Sequence, residues 1–143
     1  MLESRAMFEL RLQTYWGDAD AVGIVFFPNH FKFVAQAEEE LYRAARIIQN
    51  DLFGKHHIWI PRVEAYAKFA IPIRNGAAIR VRLTPVFPGE KAVRYDFEIV
   101  DDSAMQKLSE GYVTAVCVDR TRFEPIAMPA EIRDAIAGAQ ASQ

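Results

Sequence analysis

One stretch with helical spacing, set in a chain that otherwise alternates, limits what this sequence can fold into more than any other feature. His30, Phe33, Val34, Ala37, Leu41, Ala44, Ala45 and Ile48 fall on one face of a helix over about five turns. Lys32, Gln36, Glu39, Glu40 and Arg43 fall on the opposite side, so the helix is amphipathic and lies against something flat. Pro28 suits its first turn, where a missing N–H costs nothing. Gly54 and the polar Lys55-His56-His57 end the helix or follow it in a loop.

Elsewhere the apolar period is two. Phe8, Leu10 and Leu12 make a half-buried strand before the helix. After it, Val63, Ala65, Ala67, Phe69 and Ile71 alternate with Arg62, Glu64, Tyr66 and Lys68 until Pro72 closes the run. Asn75-Gly76 is a hairpin signal, followed by Ile79, Val81 and Leu83 alternating with Arg80 and Arg82. Pro88-Gly89 and Asp101-Asp102-Ser103 mark turns around the strand containing Val93, Tyr95, Phe97 and Ile99. Residues 107–118 are the longest strand candidate, with Gly111 as a possible bulge. A short helix follows Pro129, over 130–136, and the last few residues fray. Short turns between consecutive strands predict an antiparallel meander, with the helix over one face: an α+β chain. At 143 residues, half of them hydrophobic, residues 1–143 form one domain with a real core.

Several function classes drop out. A net charge of −2 gives no basic field for nucleic acid or an anionic membrane. A lone cysteine, Cys117, allows no internal disulfide or thiolate metal cluster and reads as core packing in a reducing compartment. No apolar run approaches the roughly 20 residues of a membrane span, and Met1–Ala6 lack a secretory apolar segment, so the cytoplasm is the default. Adjacent His56 and His57 point apart and read as a solvated loop, so no metal is expected. Glu38-Glu39-Glu40 reads as a solvated helix face. There is no Gly-x-Ser-x-Gly elbow, phosphate loop or dinucleotide fingerprint.

The chemistry concentrates where the first strand gives way to the helix, Trp16 to His30, which sets two carboxylates beside Ile24-Val25-Phe26-Phe27. Such a junction offers backbone N–H groups with a helix dipole behind them, able to stabilise an oxyanion. It also offers a carboxylate that can attack or activate water. Helix capping or an Asx-turn is the bland alternative for Asp18 and Asp20, which would face the same way in extended chain.

The run from Gly17 to His30, Gly-Asp-Ala-Asp-Ala-Val-Gly-Ile-Val-Phe-Phe-Pro-Asn-His, resembles the signature of hotdog-fold acyl-CoA thioesterases, the 4-hydroxybenzoyl-CoA thioesterase family. The resemblance implies a curved antiparallel sheet of about five strands wrapped around one long central helix, and hydrolysis of an acyl-CoA to free acid and CoA. It makes Asp20 the base or nucleophile and gives the Phe27 N–H the thioester carbonyl to polarise. Glu38 or Glu39 is the fallback carboxylate, since a related branch uses a helix glutamate. His30 departs from the family, where an aromatic is common. Val22, Gly23, Phe26, Pro28, Asn29 and His30 then line the substrate. In the family a partner subunit completes the acyl pocket, which falls here on Trp59, Ile60, Pro61 and Val63; packing of Trp59 and Ile60 under the helix is the alternative. An aromatic acyl group such as benzoyl or hydroxybenzoyl would suit such walls. Family coenzyme contacts fall on Lys91 and Arg94, with Arg62, Arg80 and Arg82 as further cations; ordinary exposed charge is the plainer reading of each. The resemblance further implies a dimer or tetramer, and no cofactor beyond the coenzyme A of the substrate. A non-catalytic acyl-CoA-binding hotdog protein and a hotdog hydratase or dehydratase are the alternatives.

Overall fold

The structure, a computed structural model, describes residues 7–139. The expectations for Met1–Ala6 and for the last four residues lie outside them. Strand β1 (Phe8–Gln13) leads through a short 3-10 turn (Trp16–Asp18) into helix α1 (Asn29–Ala44). A four-residue helix α2 (Leu52–Lys55) and a short strand β2 (Ile58–Trp59) follow. Then come β3 (Arg62–Phe69), β4 (Ala78–Val86), β5 (Ala92–Asp101), β6 (Lys107–Val116), the short β7 (Val118–Asp119) and α3 (Ala130–Gly138).

Five strands form one antiparallel sheet in the order β1-β4-β5-β6-β3, and β2 pairs with β7 apart from it. Alternation sends Ile79, Val81, Leu83, Val93, Tyr95, Phe97, Ile99, Val113 and Ala115 to one face, where they bury against Phe33, Val34, Ala37 and Leu41 of α1. Burial of each larger side chain contributes about 1.5–3 kcal/mol, which outweighs the modest helix propensity of Phe33 and Val34. The face away from α1 carries a ladder of ion pairs: Arg11 and Arg80 on Asp102, and Arg80 and Arg82 on Glu9. Cys117 is fully buried, and burial pushes its thiol up to about 11.

Four expectations are corrected. The helix stops at Ala44 because Arg46 takes a left-handed backbone (φ 64°), so Ile48 leaves the apolar face and is exposed. Gly54 sits inside α2 rather than in a loop. The strands do not form a simple meander: Asn75-Gly76 does turn the chain, but it lies in a crossover from β3, at the edge beside β6, to β4 on the other side of β5, instead of closing a hairpin between them. Gly111 is no bulge either. It pairs in register with Ala67 and Phe97, and a Cβ there would lie 1.9 Å from the Tyr66 carbonyl oxygen, so close approach of β3 to β6 is what excludes a side chain. The irregularities fall instead at Arg62/Glu64 and Ile99/Val100.

Candidate active site

Residues 18–26 double back on themselves before α1 begins. The Phe26 N–H donates to the Asp18 carbonyl (2.9 Å) and the Asp20 N–H to the Ile24 carbonyl (2.8 Å), with Gly23 turning the tip at φ 85°. The 73–75 segment pins this loop: the Val25 N–H donates to the Ile73 carbonyl (2.7 Å) and the Asn75 N–H to the Gly23 carbonyl (2.9 Å). The crossover after β3 thus holds the loop that precedes the helix.

The two aspartates do not face the same way. The 3-10 turn rotates Asp18 inward, where it is buried, accepts from the Tyr15 N–H (2.9 Å) and pairs with Lys32 Nζ (2.6 Å). Burial alone would raise its carboxyl, but the Lys32 and Tyr15 hydrogen bonds and the Lys32 charge outweigh it and hold it below the ordinary aspartate range. Asp20 stays exposed and accepts only a local bond from the Val22 N–H (2.9 Å) among the described residues. Asp18 is therefore the fastening and Asp20 the available carboxylate. Asn29 is also a fastening, since its Nδ2 donates to the Asp18 carbonyl (2.8 Å).

The start of α1 leaves fewer free donors than a helix end in isolation. The N–H groups of Asn29, His30 and Phe31 bond back to Phe26, Phe27 and Pro28, and Pro28 has none to give. The Phe27 N–H has no hydrogen-bond partner among the described residues, and the residue is 60% exposed. Its ring meets Phe26 and Phe69 edge-to-face. His30 is buried behind it, with Nδ1 2.8 Å from Ser109 Oγ and its ring 4.7 Å from Phe69; burial lowers its pKa to about 4, so the ring is neutral near pH 7. Val22 is exposed at the loop tip.

The remaining expected site residues lie elsewhere. Gln13, Ala78, Asp101, Lys107 and Phe69 share one end of the sheet with the Asp20 loop, while Arg62, Val86, Ala92 and Val116 share the other. Trp59, Ile60, Pro61, Val63 and Lys91 belong to that second end, so one chain does not bring them to Asp20. Ile60 is buried in the core and is no free wall. Trp59 does not pack under the helix: it is 46% exposed, with the Arg120 guanidinium stacked 3.6 Å from its ring centre. Val63 is exposed on the helix-facing side of β3. Arg94 is paired with Asp96 (2.8 Å) and packed over Tyr112, on the face away from α1. Arg80 and Arg82 are engaged in the ladder described above, whereas Lys91 has no ion-pair partner among the described residues. His56 bonds Glu131 (2.8 Å) and His57 bonds Thr121 (2.6 Å), each ring with its own partner.

Glu38 departs most from expectation. It is not part of a solvated face but 1% exposed, next to Arg62. Its place was readable from spacing: Glu38 is four residues after Val34 and three before Leu41, on the apolar stripe itself. Glu39 does point outward, to Arg43.

A five-stranded antiparallel sheet packed on one long helix is the architecture of the hotdog-fold thioesterases, and the exposed carboxylate and unpaired amide stand on the loop before that helix. The chain belongs to the Thioesterase-like superfamily, whose profile matches residues 14–136. It is similar to the 1,4-dihydroxy-2-naphthoyl-CoA hydrolase of Crocosphaera subtropica, 28% identical over 66% of this chain and 69% of that one. It is also similar to the acyl-CoA thioester hydrolase YbgC of Escherichia coli, 26% identical over 88% and 92%. Its fold matches that of Slr0204, a 1,4-dihydroxy-2-naphthoyl-CoA thioesterase from Synechocystis, with a TM-score of 0.85 at 22% identity over 93% of this chain and 97% of that one.

Proposed function

We propose that this chain hydrolyses an acyl-CoA to the free acid and CoA, with Asp20 as the reacting carboxylate and the Phe27 N–H as the oxyanion donor. The observation that carries the reading is the division of labour in the loop. Asp18, Lys32 and Asn29 hold the backbone, while Asp20, with only the local Val22 N–H on it, and the unpaired Phe27 amide stand beside exposed aromatic surface. An amide fixed in place by its neighbours stabilises the developing oxyanion without reorganising. The carboxylate either attacks the thioester carbon directly or takes a proton from the attacking water. The chemistry draws on carboxylate, water and amide alone. Relatives named as acyl-CoA hydrolases support this over a non-catalytic binder, and those named for a dihydroxynaphthoyl ester favour an aromatic acyl group.

The site is completed by a second copy of the chain. On the helix-facing side of β3, Val63 is 61% and Phe69 45% exposed, and the outer edge of β3 has no strand beside it among the described residues. A bare edge of eight residues invites pairing. Antiparallel self-pairing centred on Tyr66 would set Val63 of one copy opposite Phe69 of the other, both on the helix-facing side. That brings Val63 and Lys91 of the second copy towards Phe26 and Phe27 of the first.

Substituting Asp20→Asn tests the chemistry, because it is nearly isosteric and retains an acceptor for the Val22 N–H. Release of free CoA from acyl-CoA esters, followed with a thiol reagent, should fall at least about a hundredfold with the melting temperature unchanged. Wild-type turnover in this variant would remove Asp20 from the reaction.

A further inference from the structure

Among the described residues, one buried side chain keeps an oxygen with no donor near it, and it is Glu38. Arg62 reaches over from β3 and its guanidinium meets Oε1, which leaves Oε2 as the oxygen without a donor. A buried carboxylate in that condition is costly to the fold. It is a group waiting for a donor.

A cavity of about 300 Å³ opens in front of it, walled by Phe31, Ala35, Val63, Ala65 and Val113. This volume is at the lower end of small-molecule sites, about 300–1,000 Å³, and the walls suit an apolar, ring-sized body. Glu64 also lines the cavity, but its carboxylate accepts from Tyr112 and Thr114; Arg62 thus balances Glu38, and a neutral donor suits the pocket better than an ammonium group. A hydroxyl meets that condition: it satisfies the carboxylate without adding charge.

Resting on the hydrolase reading above, we propose that Glu38 determines acyl specificity by accepting a hydrogen bond from a hydroxyl on an aromatic acyl group seated in this cavity. Within one chain Glu38 lies away from Asp20, about 14 Å along α1 from Asn29 at its start. Arg62 marks the cavity's end of β3, and Phe69, beside Phe27, lies about 23 Å along the strand. In the self-paired arrangement Val63 of a second copy comes opposite Phe69 and brings the adjoining Arg62 and Glu38 with it, so the Glu38 serving each Asp20 comes from the other chain.

The test compares benzoyl-CoA with the three monohydroxybenzoyl-CoA isomers, using wild type, Glu38→Met and Asp20→Asn. Wild type should favour at least one hydroxylated ester over benzoyl-CoA by tenfold or more in kcat/KM. Glu38→Met fills the same space without the oxygens. It should bring that ratio to within about threefold and raise the melting temperature, since it removes an unsatisfied buried oxygen. A selectivity ratio unchanged in Glu38→Met, with Asp20-dependent turnover present, overturns the assignment and leaves the hydrolase reading intact. So does a Glu38→Met protein that melts lower and loses every ester equally, which marks a structural carboxylate. Wild type that releases no CoA from any ester overturns the hydrolase reading, and this inference with it.

Discussion

At the scale of single residues, the same side-chain types do opposite work according to how deeply the backbone places them. Asp18 and Asp20 are two positions apart, yet one is an internal anchor and the other is open to solvent. His30 is the residue whose burial has the clearest thermodynamic consequence. Its pKa is lowered to about 4 in the folded chain, against about 6.5 when unfolded. Between those values the unfolded chain binds the extra proton, so stability rises with pH through the window and is lost on acidification. The expected loss between pH 7 and pH 5 is about 2 kcal/mol. Carboxylates held low, such as Asp18 and Glu9, add their own losses only at lower pH. Urea unfolding at fixed protein concentration reads this directly. The double variant His30→Phe/Ser109→Ala, which removes the imidazole and its hydroxyl partner together, should lose less than half as much over the same range. An equal pH dependence in the double variant would assign the effect to another group.

At the scale of elements, Gly111 sets how closely β3 approaches β6. Gly111→Ala would drive a methyl group into the Tyr66 carbonyl and push β3 outward, at a cost of about 1–3 kcal/mol. A thermal melt within a degree of wild type would show that the two strands separate more easily than this geometry allows. The element pattern also explains what the sequence could reveal. Helical spacing in 30–44 and alternation in β4, β5 and β6 follow from which side chains face the core, so those elements were legible. Which strand neighbours which was not, because alternation reports facing and not partnership; Asn75-Gly76 gives the same turn signal whether it closes a hairpin or begins a crossover. In the proposed site, Asp20 and Phe27 stood out through a contiguous motif. The Glu38–Arg62 pair did not, because it joins residues 24 positions apart that meet only once β3 lies along α1.

At the scale of the whole molecule, the two halves of the proposed site lie at opposite ends of one sheet, and only a second chain can bring them together. Mixing two inactive variants tests this. Asp20→Asn removes the carboxylate, and Val63→Arg blocks the far wall at an exposed position, whereas a substitution at Ile60 would damage the core. With both variants sedimenting as wild type, random exchange makes half the dimers mixed, each with one intact site, so about a quarter of wild-type activity should return. Demonstrated exchange with no recovery would confine the site to one chain. Cys117 bears on all these measurements. Hydrolysis liberates a thiol, and the protein contains only one of its own. That thiol is sealed inside the core and holds its proton until far above neutral pH, so a thiol-trapping dye meets a silent background. One extra equivalent of colour per chain would report unfolding rather than turnover, and each assay therefore carries its own internal check on the integrity of the fold.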